Sequence, residues 1–456
     1  MKLVKKVQQK TEPEKRVLKR SKTGLEVEFS LLDQNGKVSN KAFDLISALK
    51  HINENLVVKK EVGKNMIEFG CFPGIKPYDP SLNLIRSLEN AYELCQSNDL
   101  HIYPFATYPG KFDPIISKDA RHDIKKKILG EENMKIAGRV CGFHHHYCLP
   151  KGMFDDKTKS LKLIKKSKIK NTLVASYNFE IAVDPVLALF TQSSPFYQGE
   201  KIAKDSRLVV YRGGKKLKYM NGLYSHHQQF GALPPYKHTI TDLLHSFSKR
   251  VGRWKSEVNR VNPKVNFKDI YPHDLSISWN PVKINSLGTL EQRGMDVNFL
   301  SILIAVTVLL KHCLKKIQRE FIIALPTDFG IEESFKIEND MLFLPPHSYV
   351  RNKLQKWSTY QGYNKKEMYN HAKKFFSLAK SVTPKSYNKI IQPVVEMLDN
   401  KKSMSDKIFS YAKQKGYLNE GKINNKDAAE LALHYSKQFY KDLHTTKLKL
   451  EKVSML

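Results

Sequence analysis

At 456 residues with 41% hydrophobic side chains, the chain has the material for a large packed core, about two or three domains' worth by length. That composition excludes global disorder and a collagen-like repeat. Lys and Arg number 77 against 45 Asp and Glu, a formal charge of +32 that favours polyanionic partners but does not bear on fold. The five cysteines (Cys71, Cys95, Cys141, Cys148, Cys313) are odd in number and form no Cys-x-x-Cys pair. Neither a disulfide framework nor a structural zinc site is expected. The opening MKLVKKVQQKTEPEKR is charged and has no apolar stretch, unlike a secretory signal. The longest apolar run, Phe299 to Leu310, falls well short of the roughly 18–20 residues a membrane span needs, so a cytoplasmic protein is expected.

In chain order, residues 1–20 read as a basic arm. GLEVEFSLLD from Gly24 alternates like a strand, closed by Asp33–Gly36. KAFDLISALKHIN predicts a helix, with Phe43, Ile46, Leu49 and Ile52 on one face. LVVKKEV, GKN and MIEFGCF read as a hairpin, and LNLIRSLENAYELCQSN as a second amphipathic helix. LHIYPFATYPG is a strand entering a Pro/Gly loop, and KIAGRVCGFHHHYCLP contains another strand. Leu173 to Leu189 predicts a helix, SSPFYQGEKIAKDSR a turn-rich loop, and LSISWNPV and GTLEQRGMD strands. A long helix is expected over 297–317, and beyond Asp340 a Pro-containing loop leads into Lys-rich helices. The expected class is α+β: an antiparallel core over 21–335 and a helical C-terminal region over 336–456.

Strand alternation gathers ionisable side chains. Glu26 and Glu28 share one sheet face, with Leu25, Val27 and Phe29 on the other. His144 and His146 share a face, as do Glu291 and Arg293 with Thr289, while Glu61 and Glu68 sit on opposite arms of the hairpin. One such segment alone is an ordinary solvent-facing strand. Four in one domain crowd carboxylates that repel each other unless countercharge is present. Divalent cations resolve that repulsion, and a carboxylate-rich set with an imidazole suits Mg²⁺ or Mn²⁺ better than zinc. An arginine among them, Arg293, is the usual partner of a transferred phosphoryl group. The loop Ser193, Ser194 to Gly199 and Arg207 is suited to holding a carboxylate or phosphate. Neither a Walker-type loop nor a Gly-x-Gly-x-x-Gly turn after a strand is present. Cys141 and Cys148 flank the histidine strand and read as small core residues.

These segments in this order resemble the type 2 glutamate–cysteine ligase family, in the carboxylate–amine ligase group. The stretches are GLEVEF (24–29), EVGKNMIEF (61–69), GFHHHY (142–147), SSPFYQG with Ser206-Arg207 (193–207), FGALP (230–234) and GTLEQRGMD (288–296). The resemblance covers about residues 22 to 320. It implies a glutamine-synthetase-like fold: a curved antiparallel sheet whose concave face binds ATP and Mg²⁺ (or Mn²⁺), with helices outside. It implies ATP-driven activation of an amino-acid carboxylate, the glutamate γ-carboxylate in the family's main reaction, followed by attack of an amine such as cysteine. Carried over by position, Glu26, Glu28, Glu61, Glu68 and Glu291 look like metal ligands, joined by one of His144 and His146. Arg293 would contact the transferred phosphoryl group, with Glu291 and Glu28 beside it in the catalytic set. Ser193, Ser194, Gly199, Arg207 and Tyr108 would lie on the substrate side. Where many members carry Gly-Thr-His-Pro, this chain has Ala106-Thr107-Tyr108-Pro109, and His145 replaces the usual apolar residue. The expected partners are small amino acids and ATP, without a membrane. The alternatives are a basic nucleic-acid-binding protein that keeps the ligase fold and a ligase with a macromolecular acceptor, either one meeting a polyanion through the basic surface.

Overall fold

The structure, a computed structural model, describes residues 21–150, 152–162 and 167–455; the expected basic arm at 1–20 lies outside the described residues. Its centre is strand β1 (Thr23–Asp33). Leu25, Val27, Phe29 and Leu31 point to one side and are buried, which commits the alternate residues Glu26, Glu28 and Ser30 to the other. On one edge β1 pairs with β3 (Met66–Gly70), which pairs in turn with β2 (Val58–Lys60). On its other edge β1 pairs with β4 (Leu100–Tyr103) along its second half and β5 (Gly142–Cys148) along its first. Outside β5 lie β7 (Thr289–Asp296) and then β6 (Val282–Asn285). The sheet order is β6-β7-β5-β1-β3-β2 with β4 also on β1, and every pair is antiparallel.

Helices cover this sheet, most of them on its back. α1 (Ala42–Ile52) and α2 (Tyr78–Ser97) follow β1 and β3, and α3 (Ala120–Leu129) precedes β5. α4 (Lys168–Thr191) packs on β7, α5 (Ser206–Arg212) is short, and α6 (Ile240–Val261) is long. α7 (Leu300–Glu320) lies against β5 and α4. From the C-terminal region α8 (Lys366–Val382) and α9 (Asn388–Asn400) pack on α7, and α10 (Asn425–Ser454) packs on α2, β4 and α7. One apolar cluster runs from Leu25 to Val453 and takes in the buried faces of α1, α2, α4, α7, α8, α9 and α10. Among the described residues α4 alone is long and apolar enough to cross a membrane, and that window is wholly buried within the protein. A second cluster, from Ile124 to Trp279 around Trp254, stands on the opposite side of the sheet and, with α3 and part of α6, roofs its front face.

Several elements differ from the sequence reading. α1 buries Ala42, Leu45, Ile46 and Leu49, an i, i+3, i+4, i+7 set, while Ile52 is 61% exposed. A strict three-residue spacing drifts around a 3.6-residue helix, so its fourth member leaves the buried face. LSISWNPV forms a 3₁₀ turn at Asp274–Ser276 and an irregular run, with strand starting only at Val282. The loop after Ser193 carries two two-residue strands and α5, whose N-cap Asp205 accepts a hydrogen bond from Leu208 N at 2.8 Å. The expected helices over 173–189 and 297–317 run longer or shifted, as α4 and α7.

Candidate active site

The front face collects what strand alternation supplies. Across the sheet, Lys283 (β6) is opposite Glu291 (β7), and Glu291 opposite His146 (β5). His144 is opposite Glu26, and Glu28 opposite Glu68. His146 Nε2 lies 3.2 Å and His144 Nδ1 3.5 Å from Glu26 Oε2. His144 also lies 3.6 Å from Glu28 and 3.7 Å from Glu291. Glu291 is flanked by Arg293 at 3.6 Å and Lys283 at 3.7 Å. Lys59, on β2, bridges Glu26 at 2.9 Å and Glu68 at 2.8 Å. Arg293, on the face of Glu291 by alternation, sits at a bulge: pairing with β5 steps from Gln292–His145 to Met295–Phe143, one extra residue on β7.

The ligand atoms fall into three overlapping sets, each within 4.8 Å of one another: Glu28/Glu61/Glu68, Glu26/His146/Glu291 and Glu26/Glu68/His144. Their electrostatics diverge. Burial, with Glu68 and Glu28 alongside, pushes Glu61 well above the ordinary carboxylate range. Burial and Glu26 raise Glu68. Burial would also raise Glu291 and Glu26. For Glu291, Lys283, Arg293 and the two histidines overcome it, and for Glu26, His144, His146 and Lys59 do, so both fall below that range. Burial would lower His146, but the Glu26 hydrogen bond and the charges of Glu291, Glu26 and Glu68 together raise it. At the Glu26/Glu291 end protein cations outweigh burial, whereas at the Glu61/Glu68 end burial and like charges outweigh Arg293 and Lys59. His144 Nε2 is buried without a hydrogen-bond partner. Carboxylates under mutual repulsion beside an orphaned imidazole nitrogen are a donor set that fits hard divalent cations. Both histidines lie within reach of such a set. His145, on the back face, instead sits 2.7 Å from Thr23 Oγ1, and burial holds its pKa well below that of a free imidazole.

Between this face and the second cluster is a cavity of about 300 Å³. Of the residues the sequence singled out, Glu28, Glu61, Arg207 and Arg293 line it. Arg207 is 6% exposed and its Nε has no hydrogen-bond partner. The far wall was missed: Arg121 and Lys125 from α3, Tyr211, Tyr224 and Trp279. Lys125 Nζ stands 4.1 Å over the Trp279 ring, and burial together with Arg293 lowers its ammonium pKa to about 7. The sequence held one signal, the i, i+4 pair Arg121/Lys125, which looks the same as an exposed basic helix face. Cys141 is a buried core residue, whereas Cys148 is half-buried at the end of β5; burial raises both thiol pKa values.

Four of the residues expected on the substrate side are elsewhere. Ser193 N and Ser194 Oγ donate to Asp296 Oδ2 at 3.0 and 2.6 Å, and Ser193 Oγ donates to Val297 O. Ser194 Oγ also accepts from Arg207 N at 3.2 Å, so these serines fix the start of α5 rather than face the cavity. Gly199 turns a two-residue hairpin at φ +80°, its N–H on Pro109 O and its carbonyl on Ile423 N. Tyr108 donates to Gly36 O at 3.1 Å within an aromatic cluster with Tyr103 and Phe112. Their polar groups are used by the fold.

No family model and no curated protein matches the sequence. In structure the chain is similar to a bifunctional glutathione synthetase from Pasteurella multocida, with TM-score 0.56 and 11% identity over 94% of this chain and 54% of that one. It is also similar to a glutamate–cysteine ligase from Francisella tularensis in complex with AMP, with TM-score 0.52 and 13% identity over 95% and 93% of the two chains. The fold is glutamine-synthetase-like. The chain spans about half the length of the Pasteurella protein and nearly all of the Francisella one. In this fold the charged front face, the roofed cavity and the bulge at Arg293 form one continuous site.

Proposed function

We propose that the protein is an ATP- and magnesium-dependent carboxylate–amine ligase of the glutamate–cysteine ligase type. The observation that carries the reading is the pairing of the Glu28/Glu61/Glu68 and Glu26/His146/Glu291 sets on one sheet face beside Arg293. Glu28, Glu61 and Glu68 would hold one ion, and Glu26, Glu291 and the histidines the others. Such ions, when bound, neutralise triphosphate charge and align the γ-phosphate.

The protein's own groups supply the rest. Arg293 is held over the face by the bulge, where its guanidinium can receive a transferred phosphoryl group. Arg207, with an unused Nε, and Arg121 and Lys125 opposite it suit a carboxylate substrate in the cavity. The substrate carboxylate oxygen attacks the γ-phosphorus, the bond to the β-phosphate oxygen breaks and ADP leaves. An amine nitrogen then attacks the acyl carbon and loses a proton, phosphate departs and an amide remains. Tyr211, Tyr224 and Trp279 wall off water that would otherwise hydrolyse the acyl phosphate. The glutamate γ-carboxylate and cysteine are the proposed donor and acceptor, supported by the fold shared with a protein named glutamate–cysteine ligase. In this reading residues 21–335 are the catalytic core and 336–456 a helical brace.

The test is ADP release with ATP and Mg²⁺ across a panel of amino acids, with and without cysteine. The expected result is turnover that requires an acid and an amine together and is abolished in Glu291→Gln. Retained turnover in that variant, or none with any pair in folded protein, would overturn the assignment.

A further inference from the structure

Behind the wall of the first cavity lies a second, of about 360 Å³. Trp279 lines the first; its neighbour Asn280 lines the second. Five cations surround this second cavity: Lys237, Lys249, Arg250, Arg253 and Arg351. Among the described residues no Asp or Glu lines it. Lys249, Arg250 and Arg253 follow Ser246 at i+3, i+4 and i+7, so a single face of α6 delivers them. Lys237 forms the floor at 7% exposure. Its backbone is pinned by Asn178, which donates to Lys237 O at 2.7 Å and accepts from Lys237 N at 2.8 Å.

The arginines are also held. Arg250 Nε donates to Gln229 O at 3.2 Å, and Arg351 donates to Gln228 Oε1 at 3.2 Å. Among the described residues none of the five cations forms an ion pair. Asp242, one turn before Ser246, acts on Lys237, and Glu257 follows Arg253 by one turn of α6. Burial and Arg250 lower the Lys237 ammonium pKa, so these like charges work against one another. Holding five positive groups around one small space is unfavourable unless a counter-anion shares it.

We propose that this cavity is a binding site for a small polyphosphate-bearing molecule, separate from the metal-binding face. Three guanidiniums offer the forked geometry that matches phosphate oxygens, and five cations suit the charge of about −4 on a triphosphate. Lys237 at the floor is reached by a ligand that enters the cavity and not by a nucleic-acid backbone lying across the surface. The inference stands independently of the ligase reading.

The test is calorimetric titration of inorganic tripolyphosphate into the full chain in EDTA, where the carboxylate face carries no metal to attract it. One saturable site is expected. Lys249→Gln with Arg253→Gln, both exposed rim positions, should weaken it by about tenfold or more, the loss expected of two charge-assisted contacts. Arg121→Gln with Lys125→Gln, on the first cavity, should leave it unchanged. Absence of saturable binding, loss of binding in the α3 pair rather than the α6 pair, tighter binding of citrate, or displacement of tripolyphosphate by oligothymidylate would each overturn the proposal.

Discussion

Replacing Asp184 with Asn should destabilise the whole fold and disturb the active face together. Asp184 on α4 and Arg212 on α5 form a two-pronged ion pair at 2.6 and 2.8 Å, with exposures of 1% and 4%. Arg212 also donates to Gln355 at 2.8 Å and to Gly294 O at 3.5 Å. Removing the carboxylate charge leaves a buried guanidinium with neutral acceptors only: the Asn amide oxygen, Gln355 Oε1 and Gly294 O. Breaking such a pair costs about 3–5 kcal/mol, because the remaining charge is neither paired nor hydrated. With a urea m-value of about 3 kcal/mol/M, the midpoint should fall by about 1–1.7 M. Asp184→Leu with Arg212→Met removes both charges and should cost far less than the two single changes added, a coupling of about 2–3 kcal/mol. Gly294 sits in the bulge beside Arg293, and a Cβ there would overlap Asp184 Oδ1 and Arg212 NH2. The pair therefore braces the backbone that aims Arg293, and Asp184→Asn should lower turnover even where the protein remains folded. Equilibrium urea unfolding of the four proteins measures the cycle. Single-variant costs below about 0.5 kcal/mol, or additive costs, would refute the reasoning.

Three further outcomes follow from the same kind of accounting. Glu180 is fully buried one turn before Asp184, neither carboxylate oxygen has a hydrogen-bond partner, and burial raises its pKa well above the carboxylate range. Its contribution to stability is fully present below the unfolded value of about 4.5 and is lost as pH rises through the folded one. Glu180→Gln should therefore flatten the decline of stability from pH 5 to 9 and add about 1–3 kcal/mol at the alkaline end, measured by urea midpoints; an unchanged profile would count against it. His371 packs against Phe335 and is lowered to about 3 by burial, so the unfolded chain takes up the proton first as pH falls below 6.5. Stability should drop by about 2 kcal/mol from this group alone between pH 8 and 5, and His371→Gln should remove that slope; a slope that persists would assign it to other groups. Mg²⁺ or Mn²⁺ should raise the unfolding midpoint, by about 2.7 kcal/mol at a hundredfold excess over Kd, and Glu61→Gln should lose one bound Mn²⁺ by electron paramagnetic resonance. Equal Mn²⁺ stoichiometry in wild type and variant would remove Glu61 from the ligand set.

The parts of the site that were legible are those placed by strand alternation. Glu26 and Glu28 had to share a face because Leu25, Val27 and Phe29 needed the other, and the same reasoning placed His144, His146, Glu291 and the Glu61/Glu68 arms. Arg293 shares the face of Glu291 by the same alternation, and only the bulge that begins beside it was not legible. What stayed hidden was the opposite wall. Lys125 looks like any lysine of a basic helix until the Trp279 ring is placed over it, and Trp279 lies in a run whose alternation suggests a strand that does not form. Ser193 and Ser194 failed in the reverse direction. A hydroxyl-rich loop looks the same whether it binds a ligand or satisfies Asp296, and only the pairing partner 102 residues away decides. Periodicity reports which side chains share a face of one element, but a cavity needs two faces from elements distant in sequence. The high positive charge compounds the difficulty. It spreads lysine along the whole chain, so the few cations that meet across a buried wall, Lys125 and Lys283 on one side of the 278–280 segment and Lys237 on the other, carry no distinguishing mark until the chain is folded.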